Sequence, residues 1–298
     1  MKRLSVALVL LAWFAAPACA DLDEGMAAYG RGDYATALRE FSPLAEQGDS
    51  FSQFSLGMLY AEGQGVPQDY KEAARWYRLA AEQGHDLAQY NLGMLYDEGT
   101  GVPQDYNEAA RWYRLAAEQG YDEAQVSLGF MYAKGQGIPQ DYKEAMHWYR
   151  LAAEQGYDEA QVSLGFMYAK GQGVPQDYKE AMHWYRLAAE QGHDEAQVNL
   201  GYMYAKGQGV PQDYKEAARW YRLAAEQGNA IAQFKLGHMY RTGRGVPQDY
   251  VQAHMWANLA AAQNHKNASV VRNLIAKKMS QSQIAEAQRL AREWKPKK

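Results

Sequence analysis

The chain has 298 residues and one cysteine, Cys19. A single thiol excludes an internal disulfide framework and a cysteine-rich zinc site. Gly-x-Ser-x-Gly, Ser-x-x-Lys, Lys-Thr-Gly and His-Glu-x-x-His are all absent, so nothing here supports a hydrolase elbow, a serine β-lactamase or a zincin helix. Long apolar runs are missing too, apart from Leu4 to Ala16. That run falls short of the roughly 18 to 20 apolar residues a membrane span needs, so no transmembrane segment is expected.

Lys2 and Arg3 precede this run, and Pro17-Ala18-Cys19-Ala20 follows it. A basic start, an apolar centre and a small-residue exit predict an export signal over residues 1–20, cleaved after Ala20. Lipid attachment at Cys19 is the alternative, although a lipoprotein signal would place an aliphatic residue such as Leu where Ala16 stands. The expected location is the periplasm of a Gram-negative bacterium, with secretion or lipid anchoring as the other outcomes.

Without Lys2 and Arg3 the chain carries 29 basic and 35 acidic side chains, a net of −6. Residues 266–298 hold +7 of this and residues 21–265 hold −13. An acidic body argues against nucleic acid as a partner. The basic end could meet an acidic partner or a phospholipid surface, or it could be a solvated helical cap with a frayed tail.

Six times, at intervals of 36 residues, the phrase Gly-x-Gly-(Val/Ile)-Pro-Gln-Asp-Tyr returns, from Asp69-Tyr70 to Asp249-Tyr250. Between Asp69 and Gln83, Tyr70, Ala73, Trp76, Tyr77 and Ala80 keep helical spacing, and Lys71, Arg75, Arg78 and Glu82 take the other face. Asp69 with Glu72 reads as a capping box, and Gly84 as the stop. A second helix is expected from Asp86, capped with Gln89, to Gly99. Ala73, Ala80, Ala88 and Gly93 allow close packing, and the tryptophans at 76, 112, 148, 184, 220 and 256 read as core. Such pairs must stack to bury their apolar surface, which predicts an all-α, right-handed α-solenoid of antiparallel helix pairs.

The pattern Ala-x-x-x-Leu-Gly-x-x-Tyr-x-x-Gly-x-Gly-Val-x-x-Asp-x-x-x-Ala-x-x-Trp-x-x-x-Ala-Ala-x-x-Gly, from Ala88 to Gly120, resembles the Sel1-like repeat, a relative of the tetratricopeptide repeat. The resemblance covers residues 50–263. Residues 21–49, which lack the longer turn, look like a tetratricopeptide-type cap, and residues 264–298 supply C-terminal capping helices with a polar outer face and a basic tail. Ser280 and Gln283 form a capping-box pattern there. The family implies a non-catalytic scaffold or adaptor for proteins. Cysteine-rich secreted members have been linked to β-lactam binding or hydrolysis, but this chain has neither their disulfides nor a serine motif. A cell-wall or β-lactam-acting enzyme and a secreted effector that binds host proteins are the alternatives.

Two features invite over-reading. Gly-x-Gly before a helix is a phosphate cradle only after a strand and with a third glycine, both missing here, and Pro67 removes an N–H. His147 and His183 are repeat-equivalent, and His85 and His193 fall in turns, so no metal set is formed. No cofactor is expected.

Partner information should lie where repeats differ. Sites equivalent to 87, 91, 94 and 98 share one helix face, which lines the concave groove in related solenoids. Here the face offers the aromatic column Phe130, Phe166 and Tyr202, the amides Asn91 and Asn199, and the lysines Lys134, Lys170 and Lys206. Apolar side chains, an extended backbone and carboxylates would suit them respectively, so a protein or peptide ligand is expected. The aromatics could instead merely fill a tight inner surface. Residues 121–156 and 157–192 differ only at Ile138 and Val174, so this stretch could equally act as a spacer.

Overall fold

The structure, a computed structural model, describes residues 20–297. The expected cleavable segment and Cys19 lie outside the described residues, Ala20 excepted. Among the described residues there are sixteen helices and no strand. They run as α1 (Leu22–Gly30), α2 (Tyr34–Glu46), α3 (Ser50–Glu62), α4 (Tyr70–Glu82), α5 (Asp86–Glu98), α6 (Tyr106–Glu118), α7 (Asp122–Lys134) and α8 (Tyr142–Glu154). There follow α9 (Asp158–Lys170), α10 (Tyr178–Glu190), α11 (Asp194–Lys206), α12 (Tyr214–Glu226), α13 (Ala230–Thr242), α14 (Tyr250–Ala262), α15 (Ala268–Ala276) and α16 (Gln281–Glu293). The helices gather into two compact units, Met1–Leu115 and Ala116–Lys298, divided within α6. Inside each unit a helix packs mainly on its neighbours in sequence, and α14 also meets α16.

The helices that open on Asp-Tyr start as expected. Asp69 accepts from the backbone N–H groups of Lys71 and Glu72, and Asp141, Asp177, Asp213 and Asp249 do the same in their repeats. The return half of the expected box does not form at Asp69; Glu72 pairs forward with Arg75. Only Ser280 and Gln283 complete a capping box among the described helices.

The other helix of each pair takes its cap one residue earlier than expected. His85, not Asp86, is the N-cap of α5 and accepts from Ala88 N–H through Nδ1. Gln89 has a different task. It is buried and donates to the carbonyl of Ala81 at the end of α4. Its equivalents Gln125, Gln161, Gln197 and Gln233 do likewise, and each accepts in turn from the Gln at the following C-cap: 155, 191, 227 and 263. A carbonyl in the last turn of a helix has no intrahelical donor; here each already accepts from the N–H of the glycine after the C-cap, and the amide adds a second hydrogen bond that links one repeat to the next.

Glycine sets the distance within a pair. The Tyr149 ring lies against Gly129, where an added Cβ would come within 3.0 Å of it, and Tyr185 on Gly165 and Tyr221 on Gly201 repeat the contact at 2.7 Å. Five of the six repeat tryptophans are buried as expected, and Trp184 is half-buried. Each buried indole removes on the order of 200 Å² from water, worth at most roughly 5 kcal/mol.

The C-terminal segment departs from expectation twice. The tail after α16 is docked, not frayed: Trp294 meets Trp256 edge-on at 6.3 Å, and Lys297 donates from its backbone N–H to the Glu226 carbonyl and from Nζ to the Glu226 carboxylate. The outer face of α15 is not uniformly polar, because Val270 and Leu274 are 61% and 54% exposed. They sit four residues apart on a short helix whose buried anchors are Ala268 and Ile275.

Candidate functional site

The second unit carries a row of three clefts along α7, α9, α11 and α13. Phe130, Lys134 and Phe166 border the first, of about 410 Å³, together with Tyr142, Tyr149 and Glu195. Phe166, Lys170, Asn199 and Tyr202 border the second, of about 240 Å³, with Tyr178 and Tyr185. Tyr202 and Lys206 open the third, of about 150 Å³, which Tyr214, Tyr221 and residues of α13 complete. Neighbouring clefts share a wall, Phe166 between the first two and Tyr202 between the last two. Seven of the eight candidate residues are therefore brought together.

Asn91 belongs to the other unit, where its side chain lies beside the buried Tyr77 of the preceding helix.

Helical spacing makes the walls. An aromatic residue and a lysine four positions later stand one above the other, and each lysine lies over its own ring. Lys134 Nζ is 5.6 Å from the Phe130 ring centre, Lys170 5.7 Å from that of Phe166 and Lys206 5.8 Å from that of Tyr202. The rings remain 46%, 46% and 43% exposed. These values separate them from the buried tryptophans of the partner helices.

Sequence reasoning missed the floor. Tyr149, Tyr185 and Tyr221 reach it because Gly129, Gly165 and Gly201 let their rings lie close to the adjoining helix. Burial pushes the Tyr149 hydroxyl up to about 12, while a hydrogen bond to Ser163 works against the shift. Burial also raises Tyr185 and Tyr221. All three are neutral hydroxyls at physiological pH, able to donate or accept. The available signal was the Tyr of each Trp-Tyr pair falling opposite Leu-Gly in every repeat but the last, which has Trp256-Ala257.

The chemistry on offer is recognition. The clefts combine exposed rings, phenol hydroxyls, amides and ammonium groups, and among the described residues no three His, Cys, Asp or Glu side chains gather to hold a metal ion. Nor is any described helix long and apolar enough to cross a membrane. At the C-terminal end several cations are already paired: Arg289 with Glu286 and Glu293, and Lys297 with Glu226.

The family model of the Sel1 repeat matches six consecutive segments, residues 50–85, 86–121, 122–157, 158–193, 194–229 and 230–265. The chain belongs to the Sel1 repeat family. A crystal structure of a Sel1 repeat protein from Oxalobacter formigenes is 37% identical, covers 79% of this chain and 94% of that one, and superposes with a TM-score of 0.71. A protective antigen present in uropathogenic Escherichia coli strains, displaying an SLR fold, is 32% identical over 91% of this chain and 74% of its own, with a TM-score of 0.41. No curated protein matches the chain. Sel1 repeat proteins serve in general as scaffolds for protein interaction, and their fold is typically non-catalytic.

Proposed function

We propose that this Sel1 repeat protein is a non-catalytic adaptor of the bacterial cell envelope, exported to the periplasm, and that the row of clefts holds an extended polypeptide. The observation that carries the reading is the contiguity of the clefts behind exposed rings. Phe130, Phe166 and Tyr202 leave apolar edges in water at one per repeat, and the three lysines beside them have no carboxylate partner among the described residues. A chain with apolar side chains spaced along one edge and acidic groups on its flank complements such a surface. Rigid aromatic anchors of this kind concentrate binding energy in a few contacts.

Cross-linking and pull-down from periplasmic extract compares the native chain with a Phe130→Ala, Phe166→Ala, Tyr202→Ala triple variant. The variant should fold, because the lost rings are nearly half exposed, and should lose the specific partner. Equal recovery of the same partners by a variant with native circular dichroism would sink the reading. Finding the native protein in culture medium and not in the periplasmic fraction would refute the location.

A further inference from the structure

The third cleft differs from the other two in charge. Lys206, Lys235, His238 and Arg244 surround it, against the tyrosine floor, and no Asp or Glu lines it. Arg241 stands behind, donating from Nη2 to His238 Nδ1 at 3.2 Å, which leaves the ring proton on Nε2. Lys206 lies over Tyr202 and the Arg244 guanidinium over Tyr214, at 5.5 Å for the latter. Ring faces hold these cations in place without neutralising them, and none of Lys206, Lys235 and Arg244 has a carboxylate partner among the described residues. Burial together with Arg241, Arg244 and Lys235 holds the His238 pKa below its ordinary value, as expected beside concentrated positive charge.

Composition does not account for this concentration, since residues 21–265 are net acidic. The repeat itself marks the change. Lys235 stands where other repeats have Ser or Asn, His238 where they have Met, Phe or Tyr, and Arg244 where they have Gln or Thr. Three departures separated in sequence converge on one cleft of about 150 Å³, at one end of the row.

We infer that this cleft is a carboxylate site, which takes the acidic end of the polypeptide whose apolar side chains occupy the two preceding clefts. The inference rests on the proposed groove for its occupant, and on the cations alone for its chemistry. A carboxylate is the anion an unmodified polypeptide carries, and a guanidinium fork with two ammonium groups suits it. A chain terminus and Asp or Glu side chains are the two sources of such an acid, and either fixes the direction in which the ligand lies.

Titration of N-acetylglutamate onto the full chain, read at the His238 ring by NMR, tests the cleft without the groove. The His238 signal should move saturably, N-acetylglutaminamide, which has both carboxyl groups amidated, should leave it unmoved, and a Lys235→Gln, Arg244→Gln variant should weaken the effect about tenfold. In that variant the His238 pKa should rise, which shows the ring still in place with two cations gone. An unmoved signal overturns the carboxylate site, as does tighter displacement by inorganic phosphate. A labelled peptide with spaced Phe and Leu and an Asp-Glu end, offered with a free or amidated terminus and beside an Asn-Gln version, then reads the groove. Preference for the Asp-Glu forms whatever the terminus assigns the site to side chains, and preference for free termini assigns it to the chain end. Equal binding of all forms with the His238 signal unmoved leaves the groove standing and removes the site. No peptide binding with a responsive His238 removes the groove and leaves the site.

Discussion

Gln191 donates from Nε2 to Gln161 Oε1 at 2.9 Å across thirty residues of chain, and Gln161 donates onward to the Ala153 carbonyl at 3.2 Å. Because Gln161 is buried, its loss leaves a small cavity and strips one hydrogen bond each from the Ala153 carbonyl, which also accepts from Gly156 N–H, and from the Gln191 amide, which also donates to the Gly156 carbonyl. Gln161→Ala should lower unfolding stability by about 2 kcal/mol. Gln191→Ala, at an exposed C-cap, should cost less than half as much. Urea denaturation of the two variants under one set of conditions checks the order.

Glycine at a helix interior is ordinarily a weakness, and Gly→Ala at an exposed site stabilises by up to about 1 kcal/mol. Gly165 reverses the sign. A Cβ there would meet the Tyr185 ring at 2.7 Å, which forces the ring away from the helix and opens the second cleft. Gly165→Ala should destabilise by about 1 to 3 kcal/mol. A rise in melting temperature for this variant would contradict the packing described.

His254 is 3% exposed and its Nδ1 has no hydrogen-bond partner; burial, with Arg272 nearby, lowers its pKa from 6.5. Below the unfolded value the unfolded chain binds the proton more readily than the folded one, so stability is lost as pH falls from 6.5 through the depressed folded value. His85, His238 and His265 are shifted the same way. The urea midpoint should therefore drop between neutral pH and about pH 5, and His254→Gln should show a shallower drop. Glu123 and Glu159 are raised, so they act in the opposite sense above the ordinary carboxylate value. The comparison of variant with native chain isolates the histidine.

Removal of Trp294–Lys298 should destabilise the second unit by about 1 to 3 kcal/mol, because Trp294 packs on the same core as Trp256 and Leu236. Lys297→Ala alone should change stability by less than about 1 kcal/mol, as the lysine of its ion pair with Glu226 lies largely in water. Calorimetric melting of both chains separates packing from charge.

Much of this molecule was legible in its sequence because each repeat writes the same instructions again. The Asp69 cap, the Gly84 stop, the buried alanines and the helix pairing all follow from local rules. Asp86 and Gln89 misled for a physical reason. Asp is a favoured N-cap, but the true cap position is filled by Asp49, His85, Tyr121, Tyr157, His193 and Asn229 in turn, and Tyr121, Tyr157 and His193 make no side-chain cap at all. Gln89 answers to a carbonyl on the preceding helix, a relationship no local window contains. The clefts were half legible: the aromatic and lysine columns were visible at their spacing, whereas the tyrosine floor depends on a glycine in a facing helix. The cationic end was visible only as three departures from the repeat, and their convergence needed three dimensions.

The second glycine of a turn presses on the first residue of the Asp-Tyr helix of the preceding repeat; at Gly173 an added Cβ would lie 2.7 Å from the Tyr142 carbonyl oxygen, and at Gly209 2.6 Å from that of Tyr178. These two junctions are thus the same joint, and residues 121–156 and 157–192 differ at one position. Misaligned crossing-over between their coding segments would delete or add one whole helix pair, and the joint on either side would close as before. Length can therefore change by counting, one helix pair at a time.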